Sequence, residues 1–141
     1  MVFRTIVLAI DGSEGSRRAA PIALELAKRD KARLVLVHVE EWIAAKAGAP
    51  LHANEKEIRG EIEAQAREMS EQGIDAEVRI TDIQVGGPAH PIAEIAEQED
   101  ADLIVVGTRG HTALAGLLVG GVTQRLLHIA RRPVLAIPPG P

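Results

Sequence analysis

The chain has 141 residues, 46% of them hydrophobic and 26% charged, with a net charge of −4 and no cysteine. That length fits a single domain, 1–141, able to bury a core without metals or disulfides, and the missing thiols exclude a disulfide framework and thiolate chemistry. Phe3 and Trp42 are the only aromatic residues; base-stacking platforms are therefore absent, and with the negative charge this argues against a nucleic-acid partner.

The elements follow in chain order. Residues 5–10 (TIVLAI) form an apolar run that meets Asp11 at once, too short for a secretory leader. Residues 16–30 place Ala19, Ala23, Leu26 and Ala27 on one helical face, with Pro21 implying a kink or a later start. Residues 33–39 (RLVLVHV) read as a strand. The connection 40–52, with Gly48 and Pro50, is long enough to suggest a functional loop. Residues 55–72 carry Ile58, Ile62, Ala66 and Met69 at helical spacing, and Gly73 stands where a C-terminal cap belongs. In 76–81 (AEVRIT), apolar residues alternate with charged ones, as on a half-exposed edge strand. A helix over 89–99 carries Ile92, Ile95 and Ala96; a strand over 103–106 (LIVV) follows. A helix over 122–131 carries Val122, Leu126 and Ile129, and the last strand is 133–137 (PVLAI).

Four of the five strands are nearly continuous apolar runs, the pattern of strands buried on both faces. The alternation of strand and helix predicts an α/β domain with a parallel sheet and right-handed crossovers. In such a sheet, ligands bind beyond the carboxyl ends of the strands, where the strand order reverses. Two junctions stand out there: Asp11-Gly12-Ser13 and Gly107-Thr108-Arg109-Gly110.

The second junction opens a segment that reads GTRGHTALAGLLVGGVTQRLL. Glycine permits close backbone approach and positive φ. The N-terminus of the last helix offers N–H groups and partial positive charge to a phosphate. Arg109 adds a counter-charge and Thr123 a hydroxyl. Five glycines interleaved with these residues favour anion binding over tight turns alone. Neither a Walker-type loop nor the G-x-G-x-x-G dinucleotide fingerprint is present.

The spacing Gly107-x2-Gly110-x9-Gly120 resembles the ATP-binding signature of the universal stress protein family, G-x2-G-x9-G-[Ser/Thr]. TIVLAIDGSEGSRRA, LVLVHV, ADLIVVGTRG and RRPVLAIP resemble that family's first, second, fourth and last strands with their loops. The resemblance implies a Rossmann-like open sheet of five parallel strands, ordered 3-2-1-4-5, with helices on both faces. It implies that Ala9, Asp11 and Val39 line an adenosine pocket and that Gly107, Arg109, Gly110, Gly120, Gly121, Val122 and Thr123 hold the phosphates. The implied cofactor is ATP, with Mg or Mn bound through its phosphates. The implied assembly is a homodimer paired through the last strand, Pro133 to Pro138, acting on an unknown protein partner as a cytoplasmic, stress-response regulator. One departure is Gly121, where the family has Ser or Thr. A hydrogen bond to a charged group is worth about 1.5–3 kcal/mol, so its loss weakens affinity roughly 10- to 100-fold unless Thr123 compensates.

Two further readings remain open: an interaction module that binds no ATP, and a slow ATP hydrolase. No residues suited to phosphoryl transfer are evident, which disfavours enzymatic activity. Capping of the first helix and ligand contact are equal readings of Asp11, while Ser13 reads as a cap. His38 reads as a satisfied core histidine and His111 as solvent-exposed. His52 and His90 are too widely spaced to suggest a metal site, and His128 reads as surface or interface. Trp42 is read as packed on the protein. Asp100, Asp102 and the Arg17-Arg18 and Arg131-Arg132 pairs are read as solvated.

Overall fold

The computed structural model describes residues 2–12, 14–40, 55–83, 85–108 and 121–138. Five strands alternate with four helices: β1 (Thr5–Ala9), α1 (Glu14–Asp30), β2 (Arg33–Glu40), α2 (Glu55–Glu71), β3 (Ala76–Asp82), α3 (Ala89–Gln98), β4 (Leu103–Gly107), α4 (Gly121–Ile129) and β5 (Val134–Ile137). The sheet is wholly parallel and ordered β3-β2-β1-β4-β5, as the resemblance implies. Its order reverses between β2 and β4, on either side of β1. None of the described helices is long and apolar enough to cross a membrane.

The continuous apolar runs are explained by two packed layers. Ile6, Leu8, Ile10, Leu34 and Leu36 face one way, against Ala19, Ala23 and Ala27 of α1 and Ile58, Ile62 and Met69 of α2. Val7, Ala9, Val35, Val37 and Val39 face the other, against Ile92, Ile95 and Ala96 of α3 and Leu126 of α4. Alternate residues thus enter opposite layers, so no position in β1 or β2 can be polar without a partner. Full burial of each such aliphatic side chain stabilises by about 1.5–3 kcal/mol. β3 lies at one edge with Glu77 and Asp82 exposed, and β5 lies at the other.

Three expectations are revised. Helix α1 begins at Glu14, earlier than expected, and Pro21 lies inside it. Pro21 and Arg17 are both solvent-exposed; the carbonyl that loses its intrahelical donor therefore belongs to an exposed turn, where water can satisfy it. Asp102 is not merely solvated: its Oδ2 accepts the backbone N–H groups of Arg4 at 2.7 Å and Thr5 at 3.0 Å, fixing the start of β1. Arg132 is half-buried and binds Glu97, Asp100 and the carbonyl of Ala101.

Candidate functional site

At the carboxyl ends of the central strands the chain leaves the sheet under several constraints. After β1, Ile10 keeps its N–H on the carbonyl of Val37 at 2.8 Å. Asp11 follows, half-buried, with its N–H 3.4 Å from Ser16 Oγ, a long contact. Gly12 has φ of +80°, a left-handed conformation that explains glycine at this turn. Ala9 and Val39 are buried in the same layer of the core, on adjacent strands.

Gly107 ends β4 directly beneath the start of α1. A Cβ placed on it would lie 2.6 Å from the carbonyl carbon of Gly15 and 2.7 Å from its oxygen. Close approach of strand to helix, rather than a turn or a ligand, is therefore enough to require glycine here. The carbonyl of Gly107 accepts the hydroxyl proton of Thr123 at 2.6 Å, and Thr123 is buried. This bond fixes the first turn of α4 to the end of β4. It also removes the compensation expected of Thr123: a hydroxyl has one proton, and this one is already donated. What Thr123 can offer a phosphate is its backbone N–H.

Gly121 is exposed at the start of α4, and a Cβ there would meet nothing within 4 Å among the described residues. Val122, half-buried, follows it and packs against the α3/α4 layer. The structure thus gathers Asp11 and Gly107 at the ends of adjacent strands and bonds Thr123 to Gly107. Arg109, Gly110 and Gly120 lie outside the described residues, as do Trp42, His52 and His111. His90 and His128 are exposed.

One residue of this site was named in the sequence only as part of its junction and given no role. Thr108, next to Gly107, is 9% exposed, and its Oγ1 has no hydrogen-bond partner among the described residues. Its backbone N–H is satisfied by the carbonyl of Ile137 at 2.8 Å. A buried hydroxyl without a partner costs about 1–3 kcal/mol, so this one calls for a reason. The alternation of β4, carried one step past Val106, assigns Thr108 to the sheet face of Ala9 and Val39. A period-2 count from Ile104 was the signal that could have found it.

A family model for the universal stress protein family matches residues 3–138. The chain belongs to that family. It is 36% identical over 138 residues to a universal stress protein of Thermus aquaticus encoded in the 3′ region of a QAH/OAS sulfhydrylase, covering 96% of this chain and 99% of the relative. Among solved structures, protein MJ0577 superposes with a TM-score of 0.81 at 22% identity, over 100% of this chain and 99% of its own; that likeness concerns the fold. A universal stress protein crystallised in complex with cAMP is 28% identical, with a TM-score of 0.69, covering 97% of this chain and 98% of its own.

Proposed function

We propose that this universal stress protein binds ATP, with magnesium or manganese on its phosphates, across the carboxyl ends of β1 and β4, and acts as a homodimeric regulator rather than a catalyst. The observation that carries the reading is Thr108: a buried hydroxyl with no partner among the described residues, next to Gly107, at the point where the sheet order reverses. A ligand oxygen accepting that proton offsets a cost the protein otherwise bears alone. Asp11 and Val39 supply ribose and adenine contacts in this reading. Gly107, Arg109, Gly110, Gly120 and the backbone N–H groups of Gly121, Val122 and Thr123 supply the phosphate cradle. Membership of the family and the cAMP complex of a relative support a nucleotide as the ligand class. For self-association, β5 offers an edge with Leu135 partly exposed.

A second reading, a dimeric module that binds no ATP, is favoured by one specific observation. Gly121 brings no hydroxyl, and that of Thr123 is committed to Gly107.

Isothermal calorimetry with Mg-ATP and with cAMP separates the two. The decisive variant is Thr108→Val, isosteric and without the hydroxyl. Weaker nucleotide binding together with a melting temperature raised by about 2–5 °C is expected, because a buried hydroxyl with no partner among the described residues is gone. A folded wild type that gives no heat with either nucleotide at millimolar concentration leaves the interaction module as the better account.

A further inference from the structure

His38 of β2 is almost fully buried, at 2% exposure, and both of its ring nitrogens are engaged. Nδ1 lies 2.6 Å from the carbonyl oxygen of Ile10. Nε2 lies 2.5 Å from Oε2 of Glu55, itself 5% exposed. A carbonyl only accepts, so Nδ1 must carry a proton. The second proton sits in the Nε2–Oε2 bond, whichever partner holds it.

The connections matter more than the pair. Ile10 immediately precedes Asp11, and its N–H is already on Val37. The His38 ring therefore takes the other side of the same residue, at the point where β1 leaves the sheet. Glu55 is the first residue of α2, directly after the connection 41–54. Two residues beyond His38, buried Glu40 binds Arg59, also of α2. Leu36 and Ile58 are apolar members of the core layer on this face of the sheet.

We infer that His38 is a positioning residue for the nucleotide site: its Nδ1–H holds the Ile10 carbonyl, and so the Asp11 loop, while Glu55 locks the ring from the first turn of α2. The inference rests on the nucleotide reading for its effect on affinity, and on this chain alone for its effect on the loop. Order in the Asp11 loop is coupled to the docking of α2, and by reciprocity a ligand that orders the loop steadies the start of α2.

Two substitutions divide the ring. An asparagine amide reaches where Nδ1 stood, and a glutamine amide reaches where Nε2 stood. His38→Asn keeps the tie to Ile10, whereas His38→Gln keeps only the tie to Glu55. Loss of one hydrogen bond predicts about fivefold faster amide exchange at Asp11 and Gly12, and about fivefold weaker Mg-ATP binding, in His38→Gln relative to His38→Asn. Equal exchange rates in the two folded variants overturn the inference and leave a purely structural histidine. Glu55→Ala and Glu55→Gln form a second pair, sufficient if a His38 variant does not fold. The alanine variant frees the ring and speeds exchange at Gly12; the glutamine amide donates to neutral Nε2 and restores it. Imidazole 15N shifts add a direct check: wild type shows a protonated Nδ1, and an unprotonated Nδ1 refutes the assignment. If wild type binds no nucleotide, the nucleotide reading fails, and the exchange and 15N results still decide the role of His38.

Discussion

The two ends of the sheet are built differently. At the amino end, charged groups close the structure by pairing. Asp102 caps the start of β1, Asp30 accepts the N–H of Phe3 at 2.8 Å, Arg33 joins Glu77 and Glu99, and Arg132 joins Glu97 and Asp100. At the carboxyl end the buried His38–Glu55 and Glu40–Arg59 pairs tie β2 to α2, but beside them at β1 and β4 lie a left-handed Gly12, a Gly107 with no room for a side chain, and Thr108, whose hydroxyl has no partner among the described residues. Under the proposed reading the carboxyl end is the one that meets the ligand, as expected of an open parallel sheet.

The largest expected effect breaks this division. Gly107→Ala lies at the ligand end but is expected to act on folding, because its Cβ meets backbone rather than a movable side chain. A loss of about 3 kcal/mol, or about 10 °C in melting temperature, is expected in thermal unfolding. Asp102→Ala sharpens the contrast: removal of the acceptor for two N–H groups is expected to cost about 2 kcal/mol while leaving Mg-ATP affinity within twofold. At the ligand end, Gly121→Ser is expected to bind Mg-ATP about tenfold more tightly without loss of stability, since the added atoms meet none of the described residues. Gly121→Ala, which improves helix propensity but adds no hydroxyl, should leave calorimetric affinity unchanged. The smallest effect concerns acid. Asp30 is held at about 2, chiefly by its bond to the Arg29 guanidinium and next by the N–H of Phe3, against an ordinary value of 3.8. A lowered carboxylate stabilises the fold above its ordinary value and ceases to do so as pH falls through about 2. The stability gap between wild type and Asp30→Asn, followed by urea unfolding, should therefore be constant near neutrality and close between about pH 4 and pH 2.

The fold was legible because burial on two faces leaves continuous apolar runs, and because helix faces repeat at their own period. Pro21 misled because propensity counts its missing N–H but not the solvent exposure of the turn that bears it. At the site, Asp11 and Gly107 were legible from their place after strands. The reason for Gly107 was not: its neighbour Gly15 is brought there by the α1 crossover. Thr108 was named in the junction after the fourth strand but given no role, because its burial depends on the packing of the sheet rather than on any local pattern. The commitment of Thr123 to Gly107, and of His38 to Glu55, joins residues 16 and 17 apart across elements whose relative placement no local pattern encodes.

The sheet order also constrains how the chain comes into being. β1 is the central strand, yet its neighbours arrive at very different times: β2 follows within one crossover, while the Asp102 that caps β1 is 97 residues from Thr5. During synthesis, β1, β2 and β3 can associate first, leaving one long edge of β1 bare until β4 emerges. Late closure of a non-local pairing slows folding and exposes an apolar edge meanwhile. Nascent chains halted between Asp82 and Leu103 should therefore be the ones that most require chaperone protection.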